Sequence, residues 1–61
     1  MNKIREIRIS KGMRFEELSY MSGIRSTYLS RLERNKIPDS KVSTFQRIAR
    51  ILEVDWKDLV E

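Results

Sequence analysis

The 61-residue chain contains neither cysteine nor histidine. Without cysteine it forms neither disulfides nor thiolate metal sites, and without histidine it lacks an imidazole general base and the usual zinc ligand. A chain this short buries only about 60% of its unfolded surface, so its core is small and its stability marginal. We therefore expect stability to come from helix packing, with a second subunit as a further source.

Long apolar runs and phosphate-binding loops are also missing. No apolar run approaches the about 20 residues that a membrane-spanning helix needs, and the N-terminus lacks the apolar segment of a signal peptide. We therefore expect a cytoplasmic protein without a membrane partner. Because no glycine-rich loop or usefully spaced acidic pair is present, an enzyme with catalytic residues is not expected. Nothing indicates a cofactor, a metal or a small-molecule ligand.

Positive charge is concentrated in the first fifty residues. Residues 1–50 hold twelve of the thirteen Lys and Arg residues and five of the nine Asp and Glu residues, whereas residues 51–61 hold Lys57 and four acids. A basic body with an acidic tail is typical of a protein with a polyanionic partner on one side and a different contact on the other. A solvated mixed surface is the alternative, and composition alone favours it.

Glycine occurs only twice and proline once, and these residues separate segments with helical patterns. The first predicted helix spans residues 2–11, with Asn2 as its cap and Gly12 after its end. Its apolar side consists of Ile4, Ile7 and Ile9. The second predicted helix covers residues 14–22 and the third covers residues 26–34.

A loop and two further helices complete the pattern. Pro38 predicts a loop over residues 37–40, and Ser40 is the expected cap of a fourth helix. The fourth helix carries an apolar stripe at three- and four-residue spacing, formed by Val42, Phe45, Ile48, Ala49 and Leu52. Asp55 and Asp58 are spaced as a reciprocal cap of a short fifth helix over residues 56–60. The pattern predicts an all-α fold.

Residues 15–36 are arranged as a helix-turn-helix, in which one helix braces a second that can lie in the DNA major groove. Gly23 falls at the turn, where a residue with positive φ is needed. The apolar contacts around the turn are supplied by Leu18, Ile24, Leu29 and Leu32. A plain helical hairpin without a ligand fits this spacing as well.

Three segments carry a more specific signal. They are Gly23-Ile24, the run YLSRLERNK over residues 28–36 and the run IARILEV over residues 48–54. Together they resemble the XRE family, the phage-repressor and Cro-like helix-turn-helix regulators, and the resemblance covers nearly the whole chain. It implies a compact five-helix bundle of the phage-repressor DNA-binding-domain type with a central helix-turn-helix, as a single domain over residues 1–61.

The resemblance also implies a function. It implies a sequence-specific transcriptional regulator that binds double-stranded DNA. Because the chain has no second domain for sensing a ligand, we expect a repressor, and as a homodimer it would bind a pseudo-palindromic operator. Ser26, Thr27 and Arg31 match the positions that touch base edges, with Ser30 as a lesser candidate on the flank. Arg31 is suited to donate two parallel hydrogen bonds to O6 and N7 of guanine. Ser26 also fits as the N-cap of the third helix.

Further contacts follow from the same resemblance. Phosphate contacts, which position the protein without reading sequence, are implied for Arg14, Arg25, Tyr28, Arg34 and Lys36. Tyr28 has an alternative role, packing its ring against the second helix. Glu33 is implied to form a partly buried ion pair with Arg8 of the first helix, and two separate surface charges are the alternative.

The sequence departs from the family pattern in two places. The family's second helix usually begins with Ser or Thr followed by Gln, whereas this chain has Arg14 and Phe15. The N-terminal cap is therefore expected to be lost, and Phe15 is either an exposed apolar residue or a cover for the sugar edge of DNA. Asn35 replaces the usual glycine after the third helix, which is tolerable because asparagine adopts the left-handed conformation.

Apolar residues in the acidic tail indicate a protein contact. Trp56, Leu59 and Val60 are the candidate homodimer contact, because exposed aromatic residues beside charges often mark interfaces. Trp56 as a simple cap on the core is the alternative. The same residues support a second hypothesis, a protein-interaction module such as an antitoxin, coactivator or antirepressor that acts through the fourth and fifth helices.

Overall fold

The computed structural model describes residues 2–36 and 41–60. Over these ranges it contains four α-helices, which are Ile4–Ser10 (α1), Phe15–Ser22 (α2), Ser26–Glu33 (α3) and Val42–Leu52 (α4). A 3-10 helix, Trp56–Asp58, follows α4. The described ranges contain no strand beyond one isolated antiparallel bridge between Asn2 and Val60.

The all-α class is therefore confirmed, but a 3-10 turn stands where a fifth α-helix was predicted. The predicted loop over residues 37–40 and the predicted cap Ser40 lie outside the described residues. None of the helices that the structure describes is both long and apolar enough to cross a membrane.

The core is built from all four α-helices and the segment after the 3-10 helix. Its buried hydrophobic residues are Ile4, Leu18, Ile24, Leu29, Leu32, Phe45, Ile48, Ala49, Leu52 and Leu59. Two predicted apolar contacts are wrong, because Ile9 and Val42 are about half exposed. Ile9 lies about 140° around α1 from the buried Ile4 at 3.6 residues per turn, so Arg8 occupies the inward position instead. Val42 lies in the first turn of α4, ahead of the buried stripe.

The turn between α2 and α3 depends on Gly23 and on two serines. Gly23 ends α2 with a φ of 71°, in the left-handed region that the sequence predicted. Ser19 Oγ donates a hydrogen bond to the carbonyl of Ile24, and the Ile24 N–H donates to Ser22 Oγ at 3.2 Å. Ser22 Oγ in turn donates to the carbonyl of Ser19 at 3.3 Å. These bonds satisfy the polar groups of the turn and fix the entry of the chain into α3.

Asn2 connects the start of α1 to the end of α3. Its Oδ1 accepts a hydrogen bond from the Ile4 N–H at 3.0 Å, so its side chain satisfies the first N–H of α1, although the N-cap residue is Lys3 and the helix begins two residues later than predicted. Its Nδ2 donates to the carbonyl of Leu32 at 2.8 Å and to Oδ1 of Asn35 at 3.0 Å. Asn35 has the predicted left-handed conformation, with a φ of 59°.

The helix after α4 is shorter than the sequence predicted, since it covers Trp56–Asp58 and not residues 56–60. Asp55 Oδ1 accepts a hydrogen bond from the Lys57 N–H at 3.0 Å, in place of the expected bond with Asp58. Leu59 then enters the core, and its carbonyl accepts a hydrogen bond from the Lys3 N–H at 2.7 Å. Because the backbone pairs with the N-terminal segment here, the helix ends at Asp58.

Glu53 ends α4 in the left-handed conformation, with a φ of 60°. A side chain costs about 1–2 kcal/mol in this region, and glycine avoids that cost while losing about 0.4–1 kcal/mol through its freer unfolded chain. We expect Glu53→Gly to leave the free energy of unfolding unchanged or to raise it by about 1 kcal/mol, as measured by urea denaturation. Glu53→Ala removes the same charge and keeps the strain, and a glycine variant less stable than this control would contradict the prediction.

Candidate nucleic-acid interface

α3 has one buried apolar side and one exposed polar side. Leu29 and Leu32 are buried completely or nearly so. Ser26, Thr27 and Arg31 are all exposed to solvent. Thr27 and Arg31 are four positions apart and are therefore neighbours on one side of the helix, whereas Ser26 lies in the first turn about 100° around the helix from Thr27. The helix therefore presents hydrogen-bonding groups outward while its leucines hold it against the core.

Ser26 is not the N-cap of α3. Arg25 is the N-cap residue and Ser26 is the first helical residue. The helix therefore begins one residue earlier than it would if Ser26 were its cap. No side-chain capping bond forms at this end of α3. Ser30, the lesser candidate, is half-buried on the flank of the helix.

The five candidate phosphate contacts, Arg14, Arg25, Tyr28, Arg34 and Lys36, are all exposed. Tyr28 is partly exposed, with 37% of its surface accessible to solvent. It lines the same surface depression as Gly23 and Ile24 of the turn. This partial exposure is compatible with either of the two roles expected from the sequence.

The start of α2 keeps part of a cap. Glu17 Oε1 accepts a hydrogen bond from the Arg14 N–H at 2.9 Å, which is one half of a capping box. The cap that a Ser or Thr side chain would supply is lost as expected, because the Arg14 side chain accepts no capping bond. Glu16 and Glu17 also place negative charge at the positive end of the helix dipole.

Arg8 and Glu33 form a bidentate ion pair between α1 and α3. Arg8 Nε lies 2.9 Å from Glu33 Oε2, and Arg8 Nη2 donates to Glu33 Oε1 at 3.2 Å. Arg8 Nη1 donates to the carbonyl of Met13 at 3.0 Å. Only 10% of the Arg8 side chain and 5% of the Glu33 side chain are exposed. The pair thus joins α3 to α1 in a largely desolvated environment.

Phe15 lies next to this ion pair. Its ring centroid is 5.9 Å from Cζ of Arg8, and the residue is half-buried against the core. It is therefore not the exposed apolar residue that one alternative expected. Packing beneath the guanidinium, where the ring favours a cation, is a role that sequence reasoning missed.

Two shallow basins border α3. The first, called here the α1 basin, has a volume of about 290 Å³ and is lined by Arg5, Arg8, Phe15, Ser30, Glu33 and Arg34. The second, called here the α4 basin, has a volume of about 320 Å³ and is lined by Gly23, Ile24, Arg25, Tyr28, Thr44 and Arg47. Arg5 and Arg47, both exposed, were not identified from the sequence as candidates. No group of residues suited to a metal ion occurs in ranges 2–36 and 41–60.

The candidate homodimer contact needs one correction. Leu59 has no exposed surface and belongs to the core, where it lies because the residue that ends the 3-10 helix is tied to the N-terminal segment by the hydrogen bond from the Lys3 N–H. Trp56 and Val60 are half-buried and pack against the same core. Trp56 therefore covers the core, as its alternative role expected, and only parts of Trp56 and Val60 remain accessible.

Comparisons with known proteins agree with this geometry. A family model described as helix-turn-helix matches residues 4–59. The crystal structure of the master regulator for biofilm formation SinR in complex with DNA is similar, with a TM-score of 0.83 and 27% sequence identity. The alignment covers 90% of this chain and 87% of that chain. No curated protein sequence matches the chain. This chain belongs to the XRE-type helix-turn-helix family of DNA-binding transcription regulators.

Proposed function

We propose that the protein is a transcriptional repressor that reads a pseudo-palindromic operator with α3 in the major groove. The observation that carries the proposal is the exposed side of α3, where Thr27 and Arg31 are neighbours and Ser26 is exposed in the first turn, while Leu29 and Leu32 are buried on the opposite side. A similar fold has been captured in complex with DNA, which supports duplex DNA as the partner. Occupying an operator is enough to block polymerase, so repression needs nothing beyond this interface.

In this proposal the side chains of α3 have separate roles. Arg31 binds guanine through two parallel hydrogen bonds, which discriminate against a wrong base by about 1–3 kcal/mol. Ser26 and Thr27 bond to several bases and therefore specify weakly, and the Thr27 methyl group is suited to contact a thymine methyl. The exposed residues around them, Arg14, Arg25, Tyr28, Arg34 and Lys36, bind phosphates and position the helix.

A homodimer would place two copies of α3 about 34 Å apart, one turn of the DNA helix. The accessible parts of Trp56 and Val60 are the proposed contact between the subunits, beside the exposed acids Asp55 and Asp58. An apolar contact with a charged border is typical of protein interfaces.

The alternative function, a protein-interaction module acting through α4 and the 3-10 helix, would use the same surface. The burial of Leu59 leaves this surface less apolar than the sequence indicated. A salt titration separates the two functions. DNA binding weakens with a log–log slope of about −0.9 for each phosphate neutralised, whereas a complex held by Trp56 would hardly respond to salt.

Selection of binders from random duplexes tests the proposal. We expect the wild-type protein to enrich a symmetric sequence with half-sites about 10 base pairs apart, centre to centre. Arg31→Ala is expected to flatten the preference at one base pair of each half-site, equivalent to about 1–3 kcal/mol. Lys36→Ala is the control, because loss of a phosphate contact weakens all sequences alike. An Arg31→Ala protein with unchanged base preference would show that this assignment is wrong.

A further inference from the structure

We propose that Arg5 on α1 and Arg47 on α4 complete two phosphate sites, one on each side of α3. The proposal rests on the proposed function and names residues outside the helix-turn-helix that would hold the DNA backbone. Each site is one of the two basins, and each basin combines an arginine of the α3 region with an arginine of another helix.

In the α1 basin, the charges that remain available are positive. Glu33 also lines the basin, but both of its carboxylate oxygens bond to Arg8, which compensates its charge. The charge of the basin is therefore set by Arg5 and Arg34. Two guanidinium groups beside the hydroxyl of Ser30 provide the donors that phosphate oxygens prefer.

In the α4 basin, no acidic residue lines the wall. Arg25 precedes α3 and Arg47 belongs to α4, so the two positive charges come from segments that are far apart in sequence. The hydroxyl groups of Tyr28 and Thr44 add two donors to the lining. Each basin thus has two arginines that are not engaged in an ion pair with Glu33, at least one hydroxyl residue and an excess of positive charge.

The basins lie on opposite sides of α3. Ser30 lines the α1 basin and Tyr28 lines the α4 basin, and these residues are about 160° apart around the helix. Thr27 and Arg31 lie on the exposed arc between them. A helix in the major groove has a phosphate backbone on each side of it, so a base-reading arc with one basin on either flank matches the duplex.

The salt dependence of binding to a random-sequence duplex tests both sites in the full chain. We expect Arg5→Ala and Arg47→Ala each to reduce the log–log slope by about 0.9. The ratio of wild-type to variant affinity should therefore shrink about 3.5-fold between about 50 and about 200 mM salt. Lys3→Ala and Arg50→Ala are matched controls, since both residues are exposed cations next to or on the same helices and line neither basin.

Lysine replacements show whether a changed salt dependence is due to the lost positive charge or to a disturbed fold. Arg5→Lys and Arg47→Lys keep the positive charge, so we expect them to retain the wild-type slope, and all six variants should unfold at the wild-type temperature. Alanine variants whose slopes equal those of Lys3→Ala and Arg50→Ala would overturn this inference alone, because the wild-type protein would still bind DNA. The inference would also be overturned if the log–log slope of affinity against salt fell in the lysine variants as much as in the alanine variants. A wild-type protein without salt-dependent duplex binding would overturn the proposed function as well.

Discussion

Arg8→Ala is expected to lower the free energy of unfolding by about 3–5 kcal/mol, because it leaves the carboxylate of Glu33 buried without its partner. Only 5% of the Glu33 side chain is exposed, so water cannot replace the lost guanidinium easily. The substitution also removes the hydrogen bond to the carbonyl of Met13. A domain of this length has a total stability of about 3–9 kcal/mol, so we expect the variant to be substantially unfolded at 37 °C.

Urea denaturation followed by circular dichroism measures this loss, and a double replacement is its control. Arg8→Met combined with Glu33→Leu removes both charges and keeps apolar volume, which is often neutral or stabilising for buried pairs. We therefore expect the double variant to be more stable than Arg8→Ala. A loss below about 1 kcal/mol for Arg8→Ala would mean that the pair behaves as a surface ion pair, contrary to its burial.

Leu59→Ala is expected to cost about 2–5 kcal/mol of unfolding free energy, because truncation of a fully buried leucine removes apolar contacts and leaves a cavity. The loss should be the same at low and high protein concentration, since the contacts of Leu59 lie within one chain. Thermal unfolding at several concentrations measures both quantities.

Val60→Ala is the matched control for this prediction. Val60 is adjacent, apolar and only half-buried, so at low protein concentration, where the proposed subunit contact does not form, its truncation should cost clearly less. A subunit contact would instead make the unfolding temperature depend on concentration. If Leu59→Ala cost less than Val60→Ala, or if its cost disappeared at high concentration, the assignment of Leu59 to the core would be wrong.

The features that sequence predicted best are those determined by neighbours along the chain. Gly23 and Asn35 adopt the left-handed conformations expected after α2 and α3, because few other residues take that conformation at low cost. The spacing of Phe45, Ile48 and Leu52 also predicted the buried side of α4 correctly. Local conformational preference and helical periodicity were sufficient in these places.

The features that sequence missed depend on contacts between distant segments. Three isoleucines in α1 indicated an apolar side that included Ile9, whereas the inward position is taken by Arg8, whose ion pair with Glu33 was implied by the family resemblance and not by the apolar pattern. The burial of Leu59 similarly depends on the pairing of the residues after α4 with Asn2 and Lys3. No pattern within the acidic tail carries that information.

The candidate interface likewise contains residues that the sequence identified and residues that only the packing of the helices revealed. The exposed residues of α3 were identified by resemblance to a family, and their exposure agrees with that reading. Arg5 and Arg47 belong to helices before and after the helix-turn-helix, and only the packing of α1 and α4 brings them to the flanks of α3. A basic residue in such a helix has no sequence signal that separates it from an ordinary solvated charge.

The bridge between Asn2 and Val60 has a practical consequence for anyone who wishes to alter this molecule. Since the Lys3 N–H donates to the carbonyl of Leu59, the first and last described residues lie side by side, and a fluorophore, a tag or a further domain attached beside either of them would emerge from the same spot. New termini could be created in a loop between two helices, with a short linker joining the segments that precede Asn2 and follow Val60, and the helices would keep their positions. The architecture is thus suited to circular permutation.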